Sequence, residues 1–279
     1  SNATSFFSKM GHSHKYAAGG DANSDSHASK PIASNHSWGY TNVLVTDISN
    51  DLSNNGNDPT ATIAANFAGN GETVSSVDQL LSGLNEFQEN GVVVWSLDND
   101  NSKSSTHILA GLPEFYSYLE EAWITAINID ISGAVGSETY TRQSASCLET
   151  AKYCLGADAH QIILPAVGPN LYNSTGTSGT SFVAPMISGA IALLAEAFPN
   201  HTPEMLVDRL LASADNVWPN DQFVVAGSVT FGNGVQHSYS AEHGHGIMDI
   251  YAALQPITTS STPLSIYAGA PNLGGNLGG

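Results

Sequence analysis

Cations are scarce in this chain: 7 Lys and Arg stand against 25 Asp and Glu, a formal charge of −18. Nucleic acid and anionic membrane both need clustered positive charge, so the composition argues against both as partners. The acid is read as a solubilising surface of the kind carried by secreted or salt-tolerant proteins. Cysteine is nearly absent, with only Cys147 and Cys154 present. No His/Cys cluster lies beside them, so they are not a zinc site. A small disulfide loop is the favoured reading, with two free core thiols as the alternative; a disulfide implies an oxidising compartment. No apolar run approaches the ~20 residues that a bilayer demands, so no segment is expected to span one. No signal peptide or internal repeat is visible, and Ser1-Asn2-Ala3 is set aside as a vector-derived scar.

What is present is enough chain for one large domain or two small ones, at 279 residues. Residues 1 to about 30 are biased to Gly, Ser, Ala, Asn, Asp and His and read as a flexible arm. From Pro31 onward apolar runs alternate with helical patterns. Val43-Leu44-Val45 is a short strand candidate. Val77, Leu80, Leu81, Leu84 and Phe87 recur at helical spacing until Gly91 interrupts, and Val92 to Trp95 then reads as a buried strand. Strands also fit Trp123 to Ile129 and Ile162 to Leu164. Helices fit Ser181–Phe198 and Pro203–Ala214, the second with Thr202 as N-cap and Pro203 at its first position. Phe223 to Phe231 is β-rich. Such alternation predicts an α/β fold, a mostly parallel twisted sheet with helices on both faces. The domain is expected over residues 31–256, with a linker or disordered tail at 257–279.

Gly179-Thr180-Ser181-Phe182-Val183-Ala184-Pro185 carries the chemistry. Val183, Ile187, Ala190, Ile191 and Leu194 form one apolar helical face, which places Ser181 in the first turn. There, unpaired N–H groups and the positive end of the helix dipole favour the oxyanion that an attacking serine generates. By itself the motif also fits an ordinary capped helix. The longer string, from GTSFVAP through MISGAIALLAEAFPNHTPEMLVDRLLASADN, resembles the nucleophile segment and following helices of the subtilisin-like serine peptidases (subtilases). The family pattern is Gly-Thr-Ser-x-Ala-x-Pro; this chain keeps Gly179, Thr180, Ser181 and Pro185 and has Val183 at the usual Ala. Gly244-His245-Gly246 with Asp249 and Ala253 resembles the family's turn and closing helix. The Cys147/Cys154 spacing and the Leu112-Pro113 to Trp123-Ile124 connector are similar to those of bacterial secreted and autotransporter subtilase domains.

The resemblance implies peptide-bond hydrolysis of a peptide or protein substrate in a secreted, periplasmic or cell-surface setting, with no cofactor required and no metal site assigned. Calcium is frequent in the family, but no Asp-rich loop here assigns its ligands. It maps Asn99, at the end of the Val92–Asn99 strand and turn, to the side-chain donor for the oxyanion. Ser37, Trp38 and Gly39, in Ser34-Asn35-His36-Ser37-Trp38-Gly39, match the strand that pairs with substrate backbone. The resemblance also implies that Ser96 and Asp98 line the specificity pocket. Asp98 replaces a glycine, and either selects a basic residue or crowds the pocket with Leu97.

The family's Asp-(Thr/Ser)-Gly and His-Gly-Thr motifs are missing. Gly11-His12-Ser13-His14 imitates the His motif at the wrong spacing. Asp47, in Asp47-Ile48-Ser49, imitates the Asp strand in the wrong order, and Pro59 to Ala65 has the shape of the His motif without the histidine. Three explanations stand. The sequence is the carboxyl-terminal part of a longer peptidase; it is an inactive, peptide-binding or surface-interaction version of the scaffold; or His12, His14, His27 or His36 serves as base. Oligomeric state is not legible.

Overall fold

The computed structural model describes residues 5–17, 31–165, 172, 175–232, 234–256, 258–259 and 262–265. Its centre is a parallel sheet of four strands in the order β1 (Ala33–His36), β2 (Val92–Ser96), β3 (Trp123–Ser132), β5 (Cys154–Ala157). The far end of β3 folds back as a hairpin with β4 (Thr139–Arg142). Register aligns Ala33 with Val92, Val93 with Trp123 and Thr125 with Cys154. Every residue of β2 is buried, as in a strand covered on both faces. The α/β class expected from the alternation of patterns is the fold observed.

Seven α-helices are described: α1 (Phe6–Ala17), α2 (Val45–Asp51), α3 (Pro59–Asn66), α4 (Val74–Gln88), α5 (Thr180–Ala197), α6 (Pro203–Ala212) and α7 (Ile250–Leu254). Their starts follow from local chemistry. Thr73 and Ser76 exchange side-chain-to-backbone hydrogen bonds at the head of α4. Asp58 accepts from the Thr60 and Ala61 N–H groups before Pro59 opens α3. Thr202 accepts from Met205 N–H at α6, and Asp249 from Ala252 N–H at α7.

In α4, Val77, Leu80, Leu81, Leu84 and Phe87 turn inward. In α5, Val183, Ala184, Ile187, Ala190, Ile191 and Leu194 do so. Both helices pack on β2. At 18 residues and mean hydropathy 1.5, α5 is long and apolar enough, by length and composition alone, to cross a membrane. Length and composition alone do not make a span, so the expectation that no segment crosses a bilayer is not overturned. Its burial against β1, β2 and β3 is that of a core helix.

Four expectations are corrected. Residues 6–17 are not an irregular arm but helix α1, whose Phe7, Met10, Gly11 and His14 face α4 and the sheet. Gly11 and Gly83 make that contact possible: a Cβ on Gly11 would strike the Gln79 carbonyl, and one on Gly83 the Gly11 carbonyl. Val43-Leu44-Val45 is not a strand; Leu44 makes one bridge to His107 and Val45 opens α2, where the Asp47 carboxylate accepts the Leu44 N–H at 2.8 Å. Ile162 bridges Thr177, but no strand forms at Ile162–Leu164, where Ile163 is exposed. The expected β-rich stretch shortens to β6 (Gly227–Thr230), antiparallel to β7 (Gln236–Tyr239). Beyond α7 a hairpin pairs β8 (Thr258–Thr259) with β9 (Thr262–Ser265); the rest of the expected tail lies outside the described residues. Cys147 and Cys154 are joined, with Cα atoms 6.0 Å apart, so the disulfide reading holds.

Candidate active site

The sheet brings the ends of β1 and β2 together beside the head of α5. A cavity of about 100 Å3 opens there, lined by Ser37, Trp38, Gly39, Ser96, Asp98, Asn99 and Ser181 among others. Residues separated by up to 144 positions in sequence are thereby gathered at one place.

Ser181 occupies the second position of α5, where no intrahelical acceptor reaches its N–H. Its hydroxyl donates to the Ser37 carbonyl at 3.2 Å, and the Ser37 hydroxyl donates to the Ser181 carbonyl at 3.1 Å. The second bond has a cause four residues along the helix. Pro185 lacks an N–H, so the Ser181 carbonyl has no intrahelical donor and is free to receive Ser37. The proline of the motif therefore ties the segment after β1 to the serine-bearing helix.

Thr180 performs the corresponding task for Asn99. The Thr180 N–H donates to Asn99 Oδ1 at 2.9 Å, and the Thr180 hydroxyl donates to the Leu97 carbonyl at 2.7 Å. Because an N–H can only be met by an acceptor, the amide oxygen is fixed toward Thr180. Asn99 Nδ2 has no protein partner among the described residues and remains a donor. Gly179 lets this approach occur, since a Cβ there would lie 3.3 Å from Asn99 Oδ1.

The pocket floor is His107, which no sequence motif signalled. Its Nε2 donates to the Ser96 carbonyl at 2.9 Å, and Nδ1 accepts the Ala110 N–H at 3.4 Å. Burial lowers its pKa, so the ring is neutral and both nitrogens are engaged. Gly39 has to be glycine against this ring, because a Cβ would come within 2.6 Å of it. Trp38 turns toward α1, 5.2 Å edge-on from Phe6, while its carbonyl accepts from Trp95 Nε1 at 2.8 Å. Asp98 Oδ1 accepts the Asp100 N–H at 2.9 Å, and its Oδ2 is buried without a hydrogen-bond partner.

The structure does not bring the acid/base imitations to this cavity. His14 points from α1 to His36 and Ser34, and Asp47 caps the start of α2. His36 is stacked on Trp95. His12 lies on α1 with its side chain outside the described residues, and His27 lies outside them altogether. Among the described residues the Ser181 hydroxyl is bonded to a carbonyl and to no imidazole.

The profile of the subtilase family matches residues 6–246. This chain belongs to the subtilase family. Serotype-specific antigen 1 of Mannheimia haemolytica is 29% identical over 132 residues, covering 46% of this chain and 14% of the antigen. Fervidolysin from Fervidobacterium pennivorans, a keratinolytic enzyme related to subtilisin, is 24% identical with a TM-score of 0.44, covering 65% of this chain and 25% of its own. The subtilase cytotoxin SubAB is 16% identical with a TM-score of 0.48, covering 79% of this chain and 57% of that one. The chain thus spans about a seventh of the antigen and between a quarter and three-fifths of these two solved structures.

Proposed function

We propose that this subtilase domain is a serine endopeptidase in which Ser181 attacks the scissile carbonyl of a peptide or protein substrate. Asn99 Nδ2 and the Ser181 N–H donate to the resulting oxyanion. The Ser37–Gly39 segment receives substrate backbone, with Ser96 and Asp98 walling the pocket for the residue before the scissile bond. The observation that carries this reading is the clamp of Thr180 on the amide oxygen of Asn99, which lines the same cavity as Ser181 and keeps its N–H2 group as a donor.

A proton still has to leave the Ser181 hydroxyl, and the Ser37 carbonyl that it now meets cannot take one. The reading therefore assigns that task to an Asp/His pair outside the described arrangement, on the full-length protein. The disulfide and the relation to a serotype-specific antigen support a secreted or cell-surface location.

The same hydroxyl-to-carbonyl contact favours a second reading, a subtilase-fold module that binds peptides without cutting them. Hydrolysis of unfolded casein by the full-length protein separates the two. Turnover that disappears in Ser181→Ala is the result expected. Saturable peptide binding with no turnover, unchanged in Ser181→Ala, would establish the binding module instead.

A further inference from the structure

Asn99 and the Ser181 N–H come from segments far apart in sequence, and they have to meet at a fixed distance to hold one oxygen between them. Thr180 joins the two segments directly. Behind that contact lies Asn128 on β3, fully buried and outside the lining of the cavity. Its amide carries one acceptor and one donor group, and both meet the same residue. Oδ1 accepts the Ala159 N–H at 2.9 Å, and Nδ2 donates to the Ala159 carbonyl at 3.3 Å.

That pairing follows from the topology. The parallel ladder between β3 and β5 runs from Thr125 with Cys154 to Asn128 with Ala157, where β5 ends. Beyond that point the Asn128 amide takes the place of the next rung, so Ala159 stays attached to the sheet after the strand has stopped. Ala159 is fully buried, and its N–H needs the acceptor that the amide supplies. An aspartate would set a second acceptor against the Ala159 carbonyl, and a leucine would offer neither group.

Two arms leave Asn128. On one, the Ala159 carbonyl also accepts the Gly179 N–H at 3.4 Å, and Gly179 directly precedes Thr180 and Ser181. On the other, the Asn128 N–H donates to Ser144 Oγ at 3.1 Å, and the Asn128 carbonyl accepts the Gln143 N–H at 2.8 Å. Ser144 Oγ donates in turn to the Ala145 carbonyl at 3.2 Å. The Ala145 N–H then donates to the carbonyl of Asp98, the neighbour of Asn99, at 2.8 Å. The head of α5 and the Asn99 turn are thus both tied to one residue of β3.

We propose that Asn128 is a positioning residue of this site: it touches neither substrate nor nucleophile, and it sets the separation between Asn99 Nδ2 and the Ser181 N–H. The proposal rests on the peptidase reading and extends it to the part of the sheet that fixes the oxyanion donors. Such donors act at about 2.7–3.1 Å from the oxyanion, and a misplacement of about 1 Å costs up to ~10²-fold in rate. The loss belongs in kcat, because the Ser37–Gly39 segment that receives substrate backbone is not tied to Asn128.

The test is a double-mutant cycle on the full-length protein, with kcat referred to the concentration of sites that a fluorophosphonate labels. Asn128→Ala should lower kcat by about 10- to 100-fold with KM unchanged. In an Asn99→Ala background the same substitution should cost less than about twofold, because the donor it positions is already gone. Ser144→Ala loosens the Asp98 arm and leaves the Ala159 pair in place. It should lower kcat by about threefold, lose that effect in Asn99→Ala, and carry the same cycle should Asn128→Ala fail to fold. A residue that only supports the fold would lower Tm and the number of labelled sites while leaving kcat per site unchanged, and that result would overturn the proposal. Effects of Asn128→Ala and Asn99→Ala that simply multiply would overturn it as well. Wild-type protein that neither turns over substrate nor takes the label would overturn the peptidase reading and this role together.

Discussion

Asn99 is an exposed turn residue that ordinary surface logic would leave free to rotate, yet Thr180 holds it by the oxygen. That constraint is what turns an amide into a directed donor. Asn99→Ala should lower kcat by about 10²- to 10³-fold with little change in KM, because the donor meets charge that develops only in the transition state. Steady-state kinetics on a peptide substrate checks this; a fall confined to KM would assign Asn99 to ground-state binding. That Ser181, Asn99 and Ser37 line one cavity was legible in sequence, through short motifs that resemble those of the subtilases. His107 was not, since its position depends on β2 and the chain from Leu44 meeting around one ring, and no neighbour in sequence announces that meeting.

At the scale of elements, long helices with a capping residue and a continuous apolar face were legible, α4 and α6 among them. Helix α1 was hidden because its buried stripe is built from two glycine-scale and polar positions, Gly11 and His14, beside Phe7 and Met10. Composition pointed to a loop while packing against α4 selected a helix. The backbone contact at Gly11 gives this a consequence. Gly11→Ala replaces hydrogen by a methyl group that collides with the Gln79 carbonyl, so α1 has to lift from α4. Overpacking of this kind costs about 1–3 kcal/mol. Hydrogen exchange should show residues 6–17 losing protection in Gly11→Ala while α5 keeps it; unchanged protection in α1 would show that the contact is dispensable.

Across the whole molecule, buried neutral histidines set the response to acid. His36 titrates near 6.5 when unfolded and at about 3 when folded, chiefly through burial and secondarily through His14. A base whose folded pKa is depressed contributes stability that is complete above its unfolded pKa and is lost as pH falls toward the folded value. The urea midpoint should therefore decline between pH 6.5 and pH 3. His36→Gln should flatten that decline, whereas an identical pH slope in the variant would remove His36 as a cause. The α/β architecture itself was readable at this scale, because apolar runs of strand length alternate with helical periodicity. What was not readable is a base for Ser181, since neither the sequence motifs nor the described residues supply an imidazole to its hydroxyl.

The account rests on Ser181 being a nucleophile in an assembled pocket, and active-site labelling tests this most directly. Full-length protein treated with a fluorophosphonate should gain one adduct, mapped by mass spectrometry to the peptide containing Ser181 and absent in Ser181→Ala. Native protein that stays unmodified, or that carries its adduct on another serine, would contradict it.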